Sequence, residues 1–311
     1  MNKILLKINK KPFKANLHCH TTVSDGKWTP GQVKERYMAK GYSVVAFTDH
    51  FVLQNHSYLN EDNFLALNAC ELEVKQKQPE QPNEKIKLYH FNLYSLNPDA
   101  DLTPPQMNMD YYDIDAINRY ISERTEEGFL VCYNHPFWSL QTYEDYSALK
   151  GCFAIEIYNH GCEITDGFYG YNPQVYDEML RLQNKIYCLS TDDNHNFKPV
   201  DSPDCDSFGG FVMINSENLT YSDIMNSLKN GDFYSSQGPE LYEISLNGNK
   251  LTVKCSDVKL IVVYTDGRKC YIAKGENLTG AEFTLKGNEK YIRVMCRDKE
   301  HKDANSNAYW L

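Results

Sequence analysis

No apolar run in the 311-residue chain approaches the roughly 20 residues that a membrane-spanning helix needs. The opening stretch, MNKILLKINKKPFKANLHCH, has only Ile4 to Leu6 as an apolar block before charges return, too short for a signal-peptide core. The expectation is therefore a cytoplasmic protein with no membrane partner. Ten cysteines are present, but none forms a CxxC pair. Cys132, Cys188, Cys255 and Cys296 sit inside strand-like runs, where single cysteines behave as small buried hydrophobes. That pattern argues against a disulfide framework and for a reducing compartment. Positive charge is scarce too. The net charge is −10, and residues 239–311 carry 12 Lys and Arg against 10 Asp and Glu, which leaves 20 against 32, a net of −12, for residues 1–238. So acidic a stretch argues against a broad nucleic-acid footprint. It leaves room for an anionic ligand, because bound cations can reverse the local sign.

What is present is a rhythm. Through residue 238, strand-like and helix-like stretches alternate. FKANLHCH alternates like a strand. TPGQVKERYMAKGY has a capping residue in Thr29, a first-turn proline in Pro30 and an exit glycine in Gly41. SVVAFTDH is a β-branched and aromatic run. A helix is predicted from about Asp113 to Glu127, followed by the strand FLVCYNHP. FAIEIYNHG, KIYCLSTDDNH and GGFVMINSE read as further strands, PQVYDEMLRLQNK and LTYSDIMNSLKNG as helices. Such alternation predicts a parallel sheet or an α/β barrel. Beyond Tyr242 six short alternating strands are predicted, with NGN, TDG and KGN turns among them, so residues 239–311 are expected to form a small all-β, sandwich-like domain. Lys75–Glu84, polar and proline-bearing, is expected to be a solvated loop.

Metal-binding residue types recur in or just after these strand-like stretches. His18 and His20 end the first, with Asp25 in the following VSDG. Asp49 and His50 end the second. Glu71 lies in NACELEV, His90 in KLYHFNLYS, His135 after FLVCY, and Asp193 and His195 after KIYCLS. Strand ends line the active-site face of α/β barrels, and residues i and i+2 on a strand share a face. His18 with His20, and Asp193 with His195, can then meet one site, whereas Cys19 alternates away and is read as packing. Asp193 is preferred to Asp192 because it keeps register with His195. Glu71 is preferred to Glu73. Asp49, directly before His50, is read as pointing away and orienting a neighbouring ligand. Six of the nine histidines follow this pattern; His56, His160 and His301 do not and are read as structural or surface residues. Imidazole suits Zn, Mn and Fe, and carboxylates bridge ion pairs well. The aromatics beside these motifs, Phe51, Phe137, Trp138 and Tyr158, are read as packing.

The series HCH, VSDG, TDH, CEL, an isolated His90, NHP and DNH, in that order, resembles the PHP (polymerase and histidinol phosphatase) family over about residues 13–238. The resemblance implies a distorted (β/α)7 TIM-like barrel and up to three divalent metal ions. It implies one ion held by His18, His20, Glu71 and Asp193, a second by Glu71, His90 and His135, and a third by Asp25, His50 and His195. Ala69 departs from the family pattern, which usually has glycine before the metal-binding glutamate. The C-terminal part resembles the branch that carries a small β-domain, a branch that includes carbamate-hydrolysing enzymes.

The expected function is a metal-dependent phosphoesterase that hydrolyses a small phosphorylated metabolite through a metal-activated water. The alternative is hydrolysis of a carbamate, ester or amide on the same site, kept open by the arginine shortage: residues 1–238 hold only Arg36, Arg119, Arg124 and Arg181, and none adjoins a motif. A non-enzymatic binding module would predict gaps in the ligand set, and all nine positions are filled.

Overall fold

The computed structural model describes residues 2–9, 11–77, 80–99 and 106–311. Residues 78 and 79 of the expected Lys75–Glu84 loop lie outside the described residues. A first strand, β1 (Asn2–Lys7), precedes a mixed series: β2 (Phe13–Asn16), α1 (Pro30–Ala39), β3 (Val44–Phe47), β4 (Leu65–Lys75) and β5 (Leu88–Ser95). There follow α2 (Ile114–Glu126), β6 (Phe129–Tyr133), α3 (Tyr143–Tyr146), β7 (Ala154–Asn159) and α4 (His160–Thr165). The series closes with α5 (Pro173–Arg181), β8 (Tyr187–Thr191), β9 (Phe211–Ile214), α6 (Tyr221–Asn230) and β10 (Phe233–Ser236). Strands alone come after: β11 (Leu241–Asn247), β12 (Lys250–Thr265), β13 (Tyr271–Thr284), β14 (Tyr291–Arg297), β15 (Asp303–Ser306) and β16 (Tyr309–Trp310). Among the described residues no helix is long and apolar enough to cross a membrane.

The helices begin and end on local chemistry. The Thr29 hydroxyl accepts from Gln32 N at 3.3 Å while the Gln32 side chain accepts from Thr29 N at 2.9 Å, a capping box that starts α1 ahead of Pro30. The Asp113 carboxylate accepts from Ala116 N at the start of α2. Gly231, at φ 75°, ends α6 in the left-handed conformation that glycine adopts without penalty.

The expected mixed α/β architecture is present. The hydrogen-bonded path runs β9-β2-β3-β4-β5-β6-β7-β8. The β2–β3, β3–β4, β6–β7 and β7–β8 pairs are parallel. β5 departs from the expected all-parallel order and pairs antiparallel with both β4 and β6. Among the described residues between β4 and β5 there is no α-helix to carry the chain back across the sheet, and the two strands pair as neighbours in antiparallel order. This reversal puts the N-terminal end of β5, with His90, at the same edge as the C-terminal ends of its parallel neighbours. Among the described residues no ladder joins β8 to β2; their extensions meet in one isolated parallel bridge, Cys19–Asn194.

Small and branched apolar residues from β2, β3, β4, β6, β7, β8 and β9, among them Ala15, Val44, Leu67, Ala69, Ala154 and Leu189, form one buried cluster. A second, with Phe91, Ile117, Tyr133 and Met179, packs α2 and α5 against the sheet. A third, with Val33, Tyr37 and Phe47, packs α1 and takes in Cys19. Nine of the ten cysteines are buried, and all ten are free.

The C-terminal strands pair antiparallel around their own apolar cluster, which includes Leu6 of β1. β1 itself pairs antiparallel with β11, so residues 2–7 lie with the C-terminal strands. Four of the six short strands predicted there merge into two long ones. KLTVKC and KLIVVYT form one 16-residue strand, and KCYIAK and AEFTL one of 14. Register shifts between Lys254 and Leu260 absorb the polar breaks as irregularities rather than turns. The NGN, TDG and KGN turns do separate strands. β10 pairs with both β9 and β15, so the ladder is continuous from one half of the chain into the other.

Candidate metal centre

Each of the strands β2 to β8 delivers at least one polar side chain to the same end of the sheet. The β2 ladder stops at Asn16, and His18 and His20 follow it. Gly26 lets the next turn fold flush against them, since a Cβ there would meet His20 O at 2.4 Å. His50 follows β3 and makes an isolated bridge with Glu71. Glu71 lies in β4 and His90 in β5, with Glu73 paired opposite His90. His135 follows β6, and Asp193 and His195 follow β8. His135 and Asp193 both have positive φ, 23° and 52°. Such backbone is uncommon for residues other than glycine and concentrates at functional sites.

The nine predicted residues come together in three overlapping groups. His18 Nε2 and His20 Nε2 lie 3.1 Å apart, and each is 3.1 Å from Asp193 Oδ1. Glu71 Oε2 is 3.4 and 3.3 Å from the same two nitrogens. The other oxygen of this carboxylate, Glu71 Oε1, faces His90 Nδ1 at 3.0 Å and His135 Nε2 at 3.4 Å. Around Asp25 gather His20 Nδ1 at 3.7 Å, His50 Nε2 at 3.7 Å and His195 Nε2 at 3.5 Å. The residues are thus grouped in space as in the three sets that the PHP resemblance implied, with His20 added to the third, and a fourth group joins His18 and His135 to Glu156.

The donor set fits divalent ions. Eleven buried side-chain atoms have no hydrogen-bond partner among the described residues, and three of them are donors of this centre: His20 Nδ1, His90 Nδ1 and Asp193 Oδ1. Each belongs to one of the groups above. His90 Nδ1 is near Glu71 Oε1 without the alignment of a hydrogen bond. An unpaired buried polar atom costs about 1–3 kcal/mol, and three in one centre are explained if they share cations. An ion with ~2.1 Å bonds holds tetrahedral donors roughly 3.4 Å apart, close to the spacing of the first group.

Burial opposes charge at His18, His20, His50, Glu71, His90 and Asp193. At His18 and His20 the carboxylates of Asp193 and Glu71 override it, raising His18 well above its ordinary value and His20 to about 9. Glu71, helped by Glu73, does the same to His90, also to about 9. Glu71 and Asp193 are correspondingly held well below the usual carboxylate range by the facing imidazoles, despite burial. At His50 burial prevails and lowers the value. Protons and metal ions would compete for these nitrogens.

Behind the donors stands a layer of fixing contacts. Asp49 accepts from the backbone of Thr21 and Ser24 at 2.8 and 3.1 Å and so pins the turn that carries Asp25. Asp192 turns away from Asp193 and accepts from Tyr37 OH and from the backbone of Phe208, Gly209 and Gly210. Glu73 contacts the far nitrogen of His90 at 3.4 Å. Asn134 donates to Glu71 and Asn159 to Asp193. Ala69 packs in the core at 1% exposure with Glu71 still turned to the centre. His56 is buried against Phe47, and its Nδ1 meets Tyr58 OH. His160 contacts Tyr158 OH.

One functional residue escaped the sequence reading. Glu156, in β7, is fully buried and accepts from His18 Nδ1 at 2.7 Å, Thr191 Oγ1 at 2.7 Å, His135 N at 3.0 Å and Asn159 Nδ2 at 2.9 Å. It fixes the His18 ring with Nε2 free for an ion. The signal was a lone acid inside the apolar run FAIEIY. Glu156→Gln is expected to lower metal affinity about 10- to 100-fold, the usual cost of losing such a partner. Titration of chelator-stripped protein with Mn or Zn measures it; unchanged affinity would remove Glu156 from the centre.

Beside the donors lies a cavity of about 270 Å³ whose lining includes Asp25, His50, His135, Asp193 and His195 together with Trp138 and Asp166. An α/β fold with buried, overlapping clusters of His, Glu and Asp that could hold metal ions is the class that fold and site define. The structure matches a two-domain protein from Bacteroides vulgatus containing a predicted PHP-like metal-dependent phosphoesterase, over 99% of this chain and 98% of that one, with a TM-score of 0.51 at 15% identity. That likeness carries the fold, and the donor groups are consistent with a metal site of the PHP type. Weaker matches, both with TM-scores of 0.38, are to a presumed metal-dependent phosphoesterase from Bifidobacterium adolescentis (13% identity, 69% of this chain, 94% of that one) and an amidohydrolase from Chromobacterium violaceum (14%, 58% and 87%). No family model and no curated protein matches the sequence.

Proposed function

We propose that this chain is a metal-dependent phosphoesterase of the PHP family acting on a small phosphorylated metabolite. The observation that carries the reading is the Glu71 carboxylate, whose two oxygens face different donor groups at once. A shared carboxylate is how two ions are held close enough to act on one phosphoryl group. One ion would take His18, His20, Glu71 and Asp193, a second Glu71, His90 and His135, and a third Asp25, His50 and His195. Bound divalent ions supply Lewis acidity toward the substrate's oxygens and a nucleophilic water at neutral pH.

The chain's own residues do the rest. Glu156, Glu73 and Ser139 fix the rings of His18, His90 and His135. Asn134 and Asn159 steady the two central carboxylates. His50 and His195, whose side chains are 25% and 23% exposed, face the cavity and meet the substrate side. The same reading makes residues 1–238 the metal-binding part and residues 239–311 a small all-β part, joined by β1.

One observation favours a second reading, a carbamate, ester or amide substrate: no Lys or Arg is among the residues that line the cavity, and phosphate usually recruits one. The deciding experiment is turnover of phosphomonoesters, phosphodiesters and carbamates with Mn and Zn, beside elemental analysis. More than one equivalent of metal and hydrolysis of a phosphate ester are expected. Carbamate turnover alone would overturn the phosphoesterase assignment, and less than one equivalent after metal supplementation would overturn the multi-metal centre.

A further inference from the structure

The cavity beside the metal centre contains an acid that no donor group uses. Its lining holds the carboxylates of Asp25, Glu71, Asp166 and Asp193 and no Lys or Arg. Asp25, Glu71 and Asp193 each belong to a donor group, and Asp166 belongs to none. The Asp166 carboxylate is nonetheless fixed. Its Oδ2 accepts from Trp138 Nε1 at 3.0 Å. The Thr165 hydroxyl, bonded back to Gly161 O at 2.7 Å, lies 3.0 Å from the same oxygen. Trp138 in turn packs on the centre: its ring meets the His135 ring at 82°, centroids 5.0 Å apart, and lies 5.9 Å from the His90 ring. One indole therefore connects the second donor group to Asp166, and Trp138, Thr165 and Asp166 all line the cavity. Among the described residues nothing hydrogen-bonds to Asp166 Oδ1.

Charge decides what such a wall accepts. Ions in the donor groups would offset Asp25, Glu71 and Asp193 and draw an anionic phosphoryl group toward them. Asp166 faces no cation in the lining. A hydroxyl on the part of the substrate beyond phosphorus finds an acceptor there, and hydrogen bonds to a charged acceptor are the stronger kind. A second anion in that place meets like charge, and selectivity arises as much from such repulsion as from attraction.

We propose that Asp166, fixed by Trp138, determines specificity at this centre: it accepts a hydrogen bond from a hydroxyl on the leaving-group side of the substrate and turns away substrates with a second anion there. The proposal rests on the phosphoesterase reading for the reaction and on the cavity lining for the residue. Phosphonates, which are not hydrolysed, test it by calorimetry on the Mn-loaded protein: 2-hydroxyethylphosphonate, its methyl counterpart propylphosphonate, and 2-carboxyethylphosphonate. Ratios between ligands within one variant cancel any change in metal content. Wild type is expected to bind the hydroxyl ligand about three- to tenfold more tightly than propylphosphonate, the worth of one hydrogen bond, and Asp166→Ala to lose that preference. Trp138→Phe, which keeps a ring against His135 but has no Nε1 donor, is expected to lose part of it. In Asp166→Asn the carboxylate ligand is expected to gain about fivefold over propylphosphonate relative to wild type, the worth of removing one like charge at ~4 Å in water. Equal affinity of wild type for the hydroxyl and methyl ligands, or the same preference in Asp166→Ala, would overturn the hydrogen bond. No gain for the carboxylate ligand in Asp166→Asn would overturn the exclusion, and an unchanged preference in Trp138→Phe the part given to Trp138. If the ratios hold while wild type hydrolyses no phosphate ester, the phosphoesterase reading fails and the role of Asp166 stands. If wild type binds none of the three ligands, both fall.

Discussion

Glu71→Gln is expected to leave a folded protein that has lost most of its bound metal and its turnover. The carboxylate is 1% exposed, and its two oxygens lie within 3.4 Å of nitrogens from His18, His20, His50, His90 and His135. No other side chain of the centre touches so many donors. The amide keeps the shape but replaces one anionic oxygen by a donor that meets imidazole nitrogens head-on. Losing a contact that merely supports a ligand costs about 10- to 100-fold at such centres, so loss of a ligand shared between two groups is expected to exceed 100-fold. Elemental analysis and turnover on the best substrate, run beside a circular dichroism spectrum, make the measurement. A Glu71→Gln protein that keeps wild-type metal content would show that the groups are a hydrogen-bonded cluster rather than a metal centre.

The second large effect separates two buried histidines. His20→Ala is expected to abolish turnover and lower metal content, because His20 offers Nε2 to one donor group and Nδ1 to another. His56 is equally buried, at 1% exposure, but its neighbours are Phe47 and Tyr58 rather than a carboxylate pair. Removing it opens a cavity and costs stability, about 2–4 kcal/mol for a large-to-small change in a core, while metal and most of the turnover are retained. Thermal melts, metal stoichiometry and rates of the two variants side by side decide it. Equal metal loss in both would mean that His56 acts on the centre, and full activity in His20→Ala would overturn the ligand assignment.

The sequence by itself determined the parts whose chemistry is local. The start of α1 is legible because a capping box spans four consecutive residues, and the end of α6 because glycine is cheap at positive φ. His18 with His20 is legible because side chains two apart on extended chain share a face. The placing of metal-type residues at strand ends is legible because strands read as apolar runs and their ends as interruptions. Tertiary structure alone decided whatever depends on partners far along the chain. That β5 runs antiparallel shows only in its pairing with β4 and β6, so His90 reaches the centre from the opposite end of its strand. Glu156 reads as an oddity in FAIEIY until β7 brings it under His18, 138 residues away. The stretches 256–258 and 275–280 read as gaps between separate short strands until pairing between β12 and β13 carries the strands through them. The union of β1 with β11 and the hydrogen bond from Tyr171 to Asp303 have no local signature, because each half has the same composition whether or not the other is near. Local sterics and hydrogen bonding are written into neighbouring residues, whereas long-range pairing is fixed only when the whole chain buries its apolar surface together.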